Sequence, residues 1–448
     1  MRVRNMTEGS PIRLILSVAL PLMLGNIFQQ LYTVVDAQVV GSVLGVHALA
    51  ALGSSDWLNW MFLGLIHGFS QGFTIPMAQA FGAGDHDALR RYIGNSVVLS
   101  LLTCLATTAV ALLTLSPILD LMGNPQEIRP MTTTYLRILF AGYPISMAYN
   151  LMAGVLRSLG DGRTPLYAMV MASLLNIALD YLFVAVFGWG VGGAAIATVI
   201  AQAAAFVFCL FALSRIPFIR PKKKDLRLEK AASVRLMRLG IPLAAQNAII
   251  GVGGMIVQSV VNTMGVTFIA GYTATNKLYG VLEIAAVSYG YATSTYTGQN
   301  MGAGRIDRIR KGVRAANITG CLTAAAIALF MALFGKSIIS TFLSGSPQEV
   351  EEAMRIACEF LWTMSVTLPV LYILHIVRSA LQGMGNTFMP MLSGIAEFFM
   401  RTGSALLLPA LVGYRGLFWA EVLAWAGADV ILLASYFRTM RDLAPRRE

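Results

Sequence analysis

The sequence predicts an all-α membrane protein with twelve transmembrane helices in two pseudo-symmetric six-helix lobes. Hydrophobic residues make up 56% of the 448 residues and charged residues only 12%, whereas soluble domains carry about 25% charged residues. The apolar residues form runs that reach the roughly 20 residues needed to cross a bilayer. A sequence motif of the first half also recurs in the second half. Most of the protein surface is therefore expected to face lipid.

Twelve apolar segments follow one another along the chain. They span residues 14–44, 46–80, 88–117, 127–157, 163–188, 190–214, 235–263, 266–300, 308–335, 348–384, 388–412 and 414–438. Several exceed one straight crossing, which predicts tilted or bent helices, and Pro21 and Pro242 are candidate bend points. The predicted domains are an N-terminal lobe over 1–215, a basic cytoplasmic linker over 216–234 and a C-terminal lobe over 235–448.

The distribution of basic residues predicts the orientation. A net charge of +11 would suggest nucleic-acid binding in a soluble protein, but these residues lie in short loops between apolar runs, so no nucleic-acid partner is expected. When both termini and alternate loops share one side, that side holds most of the 33 Lys and Arg residues. The positive-inside rule therefore predicts a multi-pass protein of the cell membrane with both termini cytoplasmic. The residues counted on this side include Arg2, Arg378, Arg446 and Arg447.

An internal repeat organises the chain. The stretch QAFGAGDHDALRR begins at Gln79, and the related stretch QNMGAGRIDRIRK begins at Gln299. Their glycines permit a tight turn, and their arginines suit the lipid headgroups. Because six helices separate the copies, both halves should enter the membrane in the same sense. The axis relating them then runs along the membrane normal, with a binding site between the halves near mid-membrane.

Ionisable residues within the first-half segments are candidate functional groups, since each costs about 2.5–3.5 kcal/mol on insertion scales. Gln29, Tyr32 and Asp36 share one face of the first helix, and Asn176 and Asp180 share a face of the fifth. Each aspartate lies eight residues from the outer end of its segment, or about 12 Å in. Two carboxylates at one depth predict a shared cation site. The alternative is that each is a structural, hydrogen-bonded carboxylate.

The second half carries its polar groups elsewhere. The region that corresponds to the first helix offers Gln246 instead of a carboxylate, while the eighth segment contains Glu283 with Tyr279 one turn before it. Lys277 is a candidate to neutralise Glu283. The predicted substrate cavity comprises Gln29, Tyr32, Gln246, Asn276, Tyr279 and Glu283.

Two further patterns suggest structure rather than chemistry. Glu397 and Arg401 are one helical turn apart, so an intrahelical ion pair is the simplest interpretation. The roles of Lys277, Glu397 and Arg401 stay open at this stage. Gly64, Gly68 and Gly72 form a ridge of small residues, which predicts close helix packing.

The order of several short motifs resembles one transporter family. MTEGSPIRLILSVALPLMLGNIFQQLYTVVDAQVVG, QAFGAG, RSLGDGRTP and LNIALDYLF resemble the multidrug and toxic compound extrusion family, and the resemblance extends from Met6 to about Met440. It implies two six-helix lobes and export of cationic or amphipathic compounds in exchange for protons or sodium ions.

The resemblance also implies roles for particular residues. The acid of the family's first helix falls on Asp36, its fifth-helix asparagine and aspartate fall on Asn176 and Asp180, and a polar residue of its sixth helix falls on Thr198. A seventh-helix carboxylate present in some members is missing here, which puts a cation site there in doubt. A glutamate that other members use for substrate matches Glu283.

We therefore predict a secondary active transporter that works by alternating access. A flippase for lipid-linked saccharides is the runner-up, although such a protein should line its cavity with more cationic than acidic residues. A channel is a further alternative. A membrane-embedded enzyme is disfavoured, because no HExxH or Gly-x-Ser-x-Gly motif occurs. We expect a monomer in the lipid bilayer, without a cofactor, that handles small organic substrates.

The predicted coupling mechanism rests on charge neutralisation. A carboxylate removed from water binds a proton more readily, and a second carboxylate nearby strengthens the effect. Alternatively, Asp36, Asn176 and Asp180 would supply oxygen ligands to a sodium ion. Either cation removes negative charge from the N-terminal lobe, so its helices can repack. Pro21, on the same helix as Asp36, is the candidate hinge.

Overall fold

A computed structural model describes residues 3–343 and 347–443. Thirteen α-helices and no strand occur within these ranges, which confirms the predicted all-α class. The helices are α1 (Pro11–Leu44), α2 (Val46–Gly82), α3 (His86–Leu121), α4 (Arg129–Ala141), α5 (Tyr143–Ser158), α6 (Arg163–Asp180), α7 (Gly190–Ser214), α8 (Lys230–Asn262), α9 (Val266–Gly302), α10 (Ile306–Ser340), α11 (Pro347–Gly383), α12 (Phe388–Val412) and α13 (Arg415–Asp442). Arg2, Arg446 and Arg447, which the charge analysis counted as cytoplasmic, lie outside the described residues.

Each of the twelve predicted segments coincides with helical structure. Nine of the helical spans in the described chain are long and apolar enough to cross a membrane. The fourth predicted segment is a broken span, α4 followed by α5, bent by 46° at a break where Pro144 stands at the start of α5. The other two segments are α2 and α9, continuous helices of 37 residues each.

The chain forms two compact units. The first unit consists of Met1–Met6 and Leu20–Ala248, and the second consists of Thr7–Ala19 and Ile249–Glu448. The helices α1 and α8 therefore each supply residues to both units, since one boundary falls after Ala19 and the other after Ala248. The lobe boundaries expected from the sequence, at 215 and 235, stay a prediction.

Each unit has aromatic side chains packed in its core. In the first unit α5 packs against α2, α3 and α7, and Phe62 meets Phe140 edge to face at 5.4 Å between ring centroids. In the second unit α11 packs against α9, α10 and α13. There Phe360 stacks with both Tyr272 and Phe418 at 4.7 Å between centroids. Such aromatic pairs add to the stability gained from burial alone.

The two copies of the repeated motif form the same turn. Gly84 follows α2 with a φ of +72°, and Gly304 follows α9 with a φ of +67°, a conformation that side chains with a Cβ rarely adopt. Asp85 then caps α3 by accepting a hydrogen bond from the amide of Ala88 at 2.8 Å. In the second copy Arg305 occupies the capping position and donates to the carbonyl of Thr7 at 2.8 Å. The backbone repeat is thus retained while the chemistry of the cap differs.

The glycine ridge of α2 lies against α8 inside the first unit. A Cβ at Gly68 would lie 2.4 Å from Cα of Ala244, and a Cβ at Gly72 would lie 2.5 Å from Cα of Gly240. Both distances are too short for carbon atoms, so the missing side chains allow the two backbones to approach. The predicted packing role of the ridge is confirmed.

We expect Gly72→Ala to destabilise the protein by about 1–3 kcal/mol, because the added methyl group must push α2 and α8 apart. The loss should appear as a lower midpoint of thermal unfolding in detergent. Gly280→Ala is the matched control, since a Cβ at Gly280 in the α9 helix meets no atom within 4 Å. Equal unfolding midpoints for the two variants would contradict the packing argument.

Candidate functional site

Four predicted site residues lie together in the first unit. Asp36 on α1 is 6% exposed, while Asn176 and Asp180 on α6 are 1% and 0% exposed. The amide nitrogen of Asn176 donates to the hydroxyl of Thr198 on α7 at 3.4 Å, and that hydroxyl donates to the carbonyl of Ala194 at 3.2 Å. Asp36 and Asp180 are near enough for their charges to interact. Three helices thus bring two carboxylates and an amide into one polar cluster.

The oxygen atoms of this cluster have few hydrogen-bond donors. One carboxylate oxygen of Asp36, both carboxylate oxygens of Asp180 and the side-chain oxygen of Asn176 are buried without a hydrogen-bond partner among the described residues. An ionised carboxylate can only accept hydrogen bonds, and a buried charge without a partner costs several kcal/mol. The cluster therefore favours binding of a positive species, either a proton or a hard cation that prefers oxygen ligands.

The ligand atoms that this cluster offers are oxygens, which suit a proton or a hard cation rather than a transition metal. No group of three or more His, Cys, Asp and Glu side chains within the described ranges is arranged to hold a metal ion. Two carboxylates and one amide carbonyl fit a proton or a weakly bound monovalent cation better than zinc, which prefers nitrogen and sulfur ligands.

Tyrosines border the carboxylates. Tyr32 is hydrogen-bonded to Gln29 one turn earlier on α1, and its hydroxyl interacts electrostatically with Asp36. Tyr135 on α4 is buried and also interacts with Asp36, although nothing in the sequence pattern singled it out. Asp56, on the exposed surface of α2, is a further charge near Asp36. The acid of the first helix therefore has both phenolic and acidic neighbours.

A π-helical turn begins directly after Asp180. Residues Tyr181–Val186 adopt this wider helix, and the chain then turns at Gly188 and Gly190, whose φ angles are +66° and +61°. π-Helical turns are rare and often occur at functional sites. The glycines are the only signal in the sequence that the fifth predicted segment ends irregularly, and they do not identify the type of helix.

Pro21 lies inside α1, which continues through it as one helix. The boundary between the two compact units falls in the same helix, between Ala19 and Leu20. A proline removes one helical hydrogen bond and weakens the helix locally. Its position is compatible with the predicted bend, whereas the hinge role itself stays a prediction.

In the second unit Glu283 has a partner that the sequence analysis did not name. A carboxylate oxygen of Glu283 on α9 lies 3.5 Å from Nε2 of His375 on α11. Lys277 is exposed and forms no ion pair with Glu283, because six residues of helix place the two side chains on different faces. The side chain nearest to the carboxylate of Glu283 in this contact is therefore a histidine from another helix.

The other predicted cavity residues are divided between the units. Tyr279 stacks on Trp425 of α13, with 5.8 Å between ring centroids and 13° between planes. Asn276 forms a side-chain hydrogen bond with Tyr272. Gln246 is buried in the first unit, whereas these residues and Glu283 belong to the second. Whether the six residues form one cavity stays a prediction.

A buried ion-pair network lies beside Glu283. Glu397 on α12 receives hydrogen bonds from Arg378 of α11 at 2.7 Å and from Arg401 at 2.8 Å. Arg401 also pairs with Glu421 of α13 at 2.9 Å. The predicted intrahelical pair of Glu397 and Arg401 is thus confirmed, but it is one part of a network that joins three helices. Arg378 is buried, 7% exposed, rather than in a loop.

Asp429 extends this network along α13. Its side chain is buried, interacts electrostatically with Arg378 and Glu397, and has one oxygen without a hydrogen-bond partner in the described part of the chain. Sequence reasoning missed Asp429 and Glu421, although a carboxylate in an apolar span is itself the relevant signal. Acidic residues thus outnumber arginines in this network.

Comparisons with known proteins agree with this architecture. A sequence model of the MatE family matches residues 21–182 and again residues 242–404, so the family pattern occurs once in each half, as the repeat predicted. The probable multidrug resistance protein YpnP of Bacillus subtilis is 28% identical over 421 residues, which is 93% of each chain. The probable multidrug resistance protein NorM of Thermotoga maritima is 26% identical over 441 residues, covering 93% of this chain and 89% of the relative.

A solved structure shares the fold. The outward-facing conformation of a multidrug resistance MATE family transporter superposes with a TM-score of 0.92, at 23% sequence identity and over 98% of both chains. The predicted fold class of twelve transmembrane helices is confirmed by this similarity.

The network predicts a large stability cost when its central acid is removed. Glu397→Gln should destabilise the protein by about 3–5 kcal/mol, because it leaves buried arginine charge without its partner. Glu359→Gln, which breaks the more exposed pair of Glu359 with Arg415, should change stability little. Thermal unfolding in detergent compares the two variants. A small effect of Glu397→Gln would mean that Glu421 alone compensates Arg401 and that the network is not cooperative.

Proposed function

The chain belongs to the MatE family of multidrug efflux transporters, and on that basis we propose that it exports small organic compounds by antiport with protons or sodium ions. The observation that carries this proposal is the pair of buried carboxylates, Asp36 and Asp180: one oxygen of Asp36 and both oxygens of Asp180 are buried without a hydrogen-bond partner among the described residues. A site that needs a positive charge to offset its burial is suited to bind the driving cation.

We assign the driving cation to Asp36, Asn176 and Asp180, with Thr198 orienting the asparagine. A proton would neutralise one carboxylate, and a sodium ion would use the carboxylates together with the side-chain oxygen of Asn176. Transport requires that the cation binds one conformation better than the other. Neutralising Asp36 removes repulsion between the two acids, so α1 and α6 can approach, with Pro21 as the hinge.

We assign substrate recognition to the neighbourhood of Glu283. Its carboxylate is partly exposed and so can meet a cationic ligand. Tyr279, stacked on Trp425, offers an aromatic surface beside it, and aromatic faces attract organic cations. Relatives whose names include multidrug resistance support substrates of this broad kind. We further propose that the protein is a monomer in the cell membrane and that both termini are cytoplasmic.

We expect Asp36→Asn to reach the membrane and fold, yet to slow gradient-driven export at least about tenfold, since it mimics permanent protonation and removes the difference between cation-bound and free states. Uptake of a fluorescent organic cation into inverted membrane vesicles, which corresponds to export from the cell, reports the rate under an imposed proton or sodium gradient. The gradient that drives wild-type transport also identifies the coupling ion.

Asp87→Asn is the control for this experiment, because Asp87 is exposed at the start of α3 and should leave export unchanged. Vigorous gradient-driven export by Asp36→Asn would refute the assignment of the coupling site. Loss of export in both variants would instead indicate a general sensitivity to acid-to-amide changes.

The substrate assignment predicts a charge-selective defect. Glu283→Gln should weaken binding of a quaternary ammonium dye about fivefold, the equivalent of about 1 kcal/mol for a partly exposed ion pair. Binding of a neutral dye of similar size should stay within about twofold. Fluorescence anisotropy on the purified protein measures both. The exposed Glu351 provides the control variant Glu351→Gln, and an equal loss for cationic and neutral dyes would contradict a direct electrostatic role.

A further inference from the structure

Glu283 has a close partner within the protein that carries a positive charge only when it is protonated. Nε2 of His375 lies 3.5 Å from its carboxylate, and the two residues come from different helices, α9 and α11. The side chain of Glu283 is 37% exposed and that of His375 is 18% exposed. The carboxylate can therefore be approached by a ligand while the imidazole lies behind it. A cationic substrate and a protonated His375 would compete for the same carboxylate.

The other charged groups near this pair are already compensated. On α12, Glu397 is bound by Arg378 and Arg401. On α13, Glu421 is bound by Arg401. Arginine stays protonated in proteins, so Arg378 and Arg401 keep their positive charge across the physiological pH range.

The remaining neighbours of the pair do not supply another cation that titrates. Asp429 on α13 interacts with Arg378 and Glu397, Glu397 interacts with His375, and Tyr279 shares the α9 helix with Glu283. The stretch of α10 from 315 to 335 contains no charged residue. Among side chains, an ordinary histidine is the one whose charge changes between about pH 5 and pH 8. Near Glu283, Arg401 is therefore a permanent positive charge, and His375 is the neighbour that can gain one.

We propose that His375 is the internal counter-ion that releases a cationic substrate from Glu283. The neutral imidazole leaves the carboxylate available to an organic cation, and the imidazolium replaces that cation. One proton is taken up by the ring as one cation leaves, so the charge at the site is unchanged by the exchange. The idea rests on the proposed substrate role of Glu283 and adds a residue that sets its pH dependence.

The direction of this exchange suits export. A site that faces the neutral cytoplasm holds His375 unprotonated and accepts the cation. A site that faces a more acidic exterior protonates the imidazole and releases the cation. This exchange in the second unit would act in addition to the carboxylate site of the first unit, because the two sites share no residue.

The test uses a quaternary ammonium dye, whose own charge does not change with pH. Wild-type protein in detergent should bind the dye about fivefold more weakly at about pH 6 than at about pH 8. His375→Gln should bind it with nearly equal affinity at both pH values, at the level of wild type at the higher pH. Glu283→Gln should bind it weakly at both.

Two controls separate the possible results. His47→Gln changes an exposed histidine of the first unit and should keep the wild-type pH dependence. His375→Asn provides a second substitution at the proposed counter-ion. Size-exclusion chromatography checks that each variant is folded. If Glu283→Gln weakens binding but both His375 variants keep the wild-type pH dependence, the counter-ion role is refuted and the substrate site stands. If Glu283→Gln binds the dye like wild type, the substrate site itself is refuted, and the counter-ion role falls with it.

Discussion

The hydrocarbon of the bilayer imposes the constraint on which the whole structure depends: every polar group within it needs a partner inside the protein. The backbone meets this demand through its helices, which extend through nearly all of the described chain. Buried charged side chains differ in whether they have such a partner. In the second unit, Glu397 satisfies its charge with Arg378 and Arg401. In the first unit, Asp36 and Asp180 keep oxygens without donors. Glu397 thus belongs to a network that is compensated within the protein, whereas the carboxylates of Asp36 and Asp180 are suited to bind a cation.

The same constraint explains why an internal repeat supports two different chemistries. Gly84 and Gly304 form equivalent turns, because the geometry of the turn depends on backbone freedom that only glycine provides. The charges are not repeated: the acid at Asp36 has no counterpart in the first helix of the second half, where Gln246 stands. The repeat sets the path of the chain, whereas each half can place charge on any helix whose neighbours can compensate it.

The helices could be predicted well from the sequence because the thickness of the bilayer sets the length of an apolar segment that spans it. The sequence also predicted that Asp36, Asn176 and Asp180 cluster, since the spacing of residues along a helix determines on which face of the helix they lie and how deep in the membrane. It did not predict the partner of Glu283. Lys277 is near in sequence, but His375 on another helix is near in space, and pairing between helices depends on packing angles that periodicity does not contain. The π-helical turn after Asp180 was missed for a similar reason, since no residue pattern distinguishes it from an α-helical end.

The two units contain different arrangements of buried charge. Two unpartnered acids in a low-dielectric region repel each other, so a conformation that brings them together is favoured only when a cation neutralises one. A ligand shifts a conformational equilibrium only by its difference in affinity between states. In the proposed antiport, the repulsion between Asp36 and Asp180 is the source of that difference. Arg401 is paired with both Glu397 and Glu421. Breaking either pair would leave a buried charge without its partner, which is costly. The pairs of Arg401 therefore join α12 to α13 next to Glu283, the proposed substrate residue.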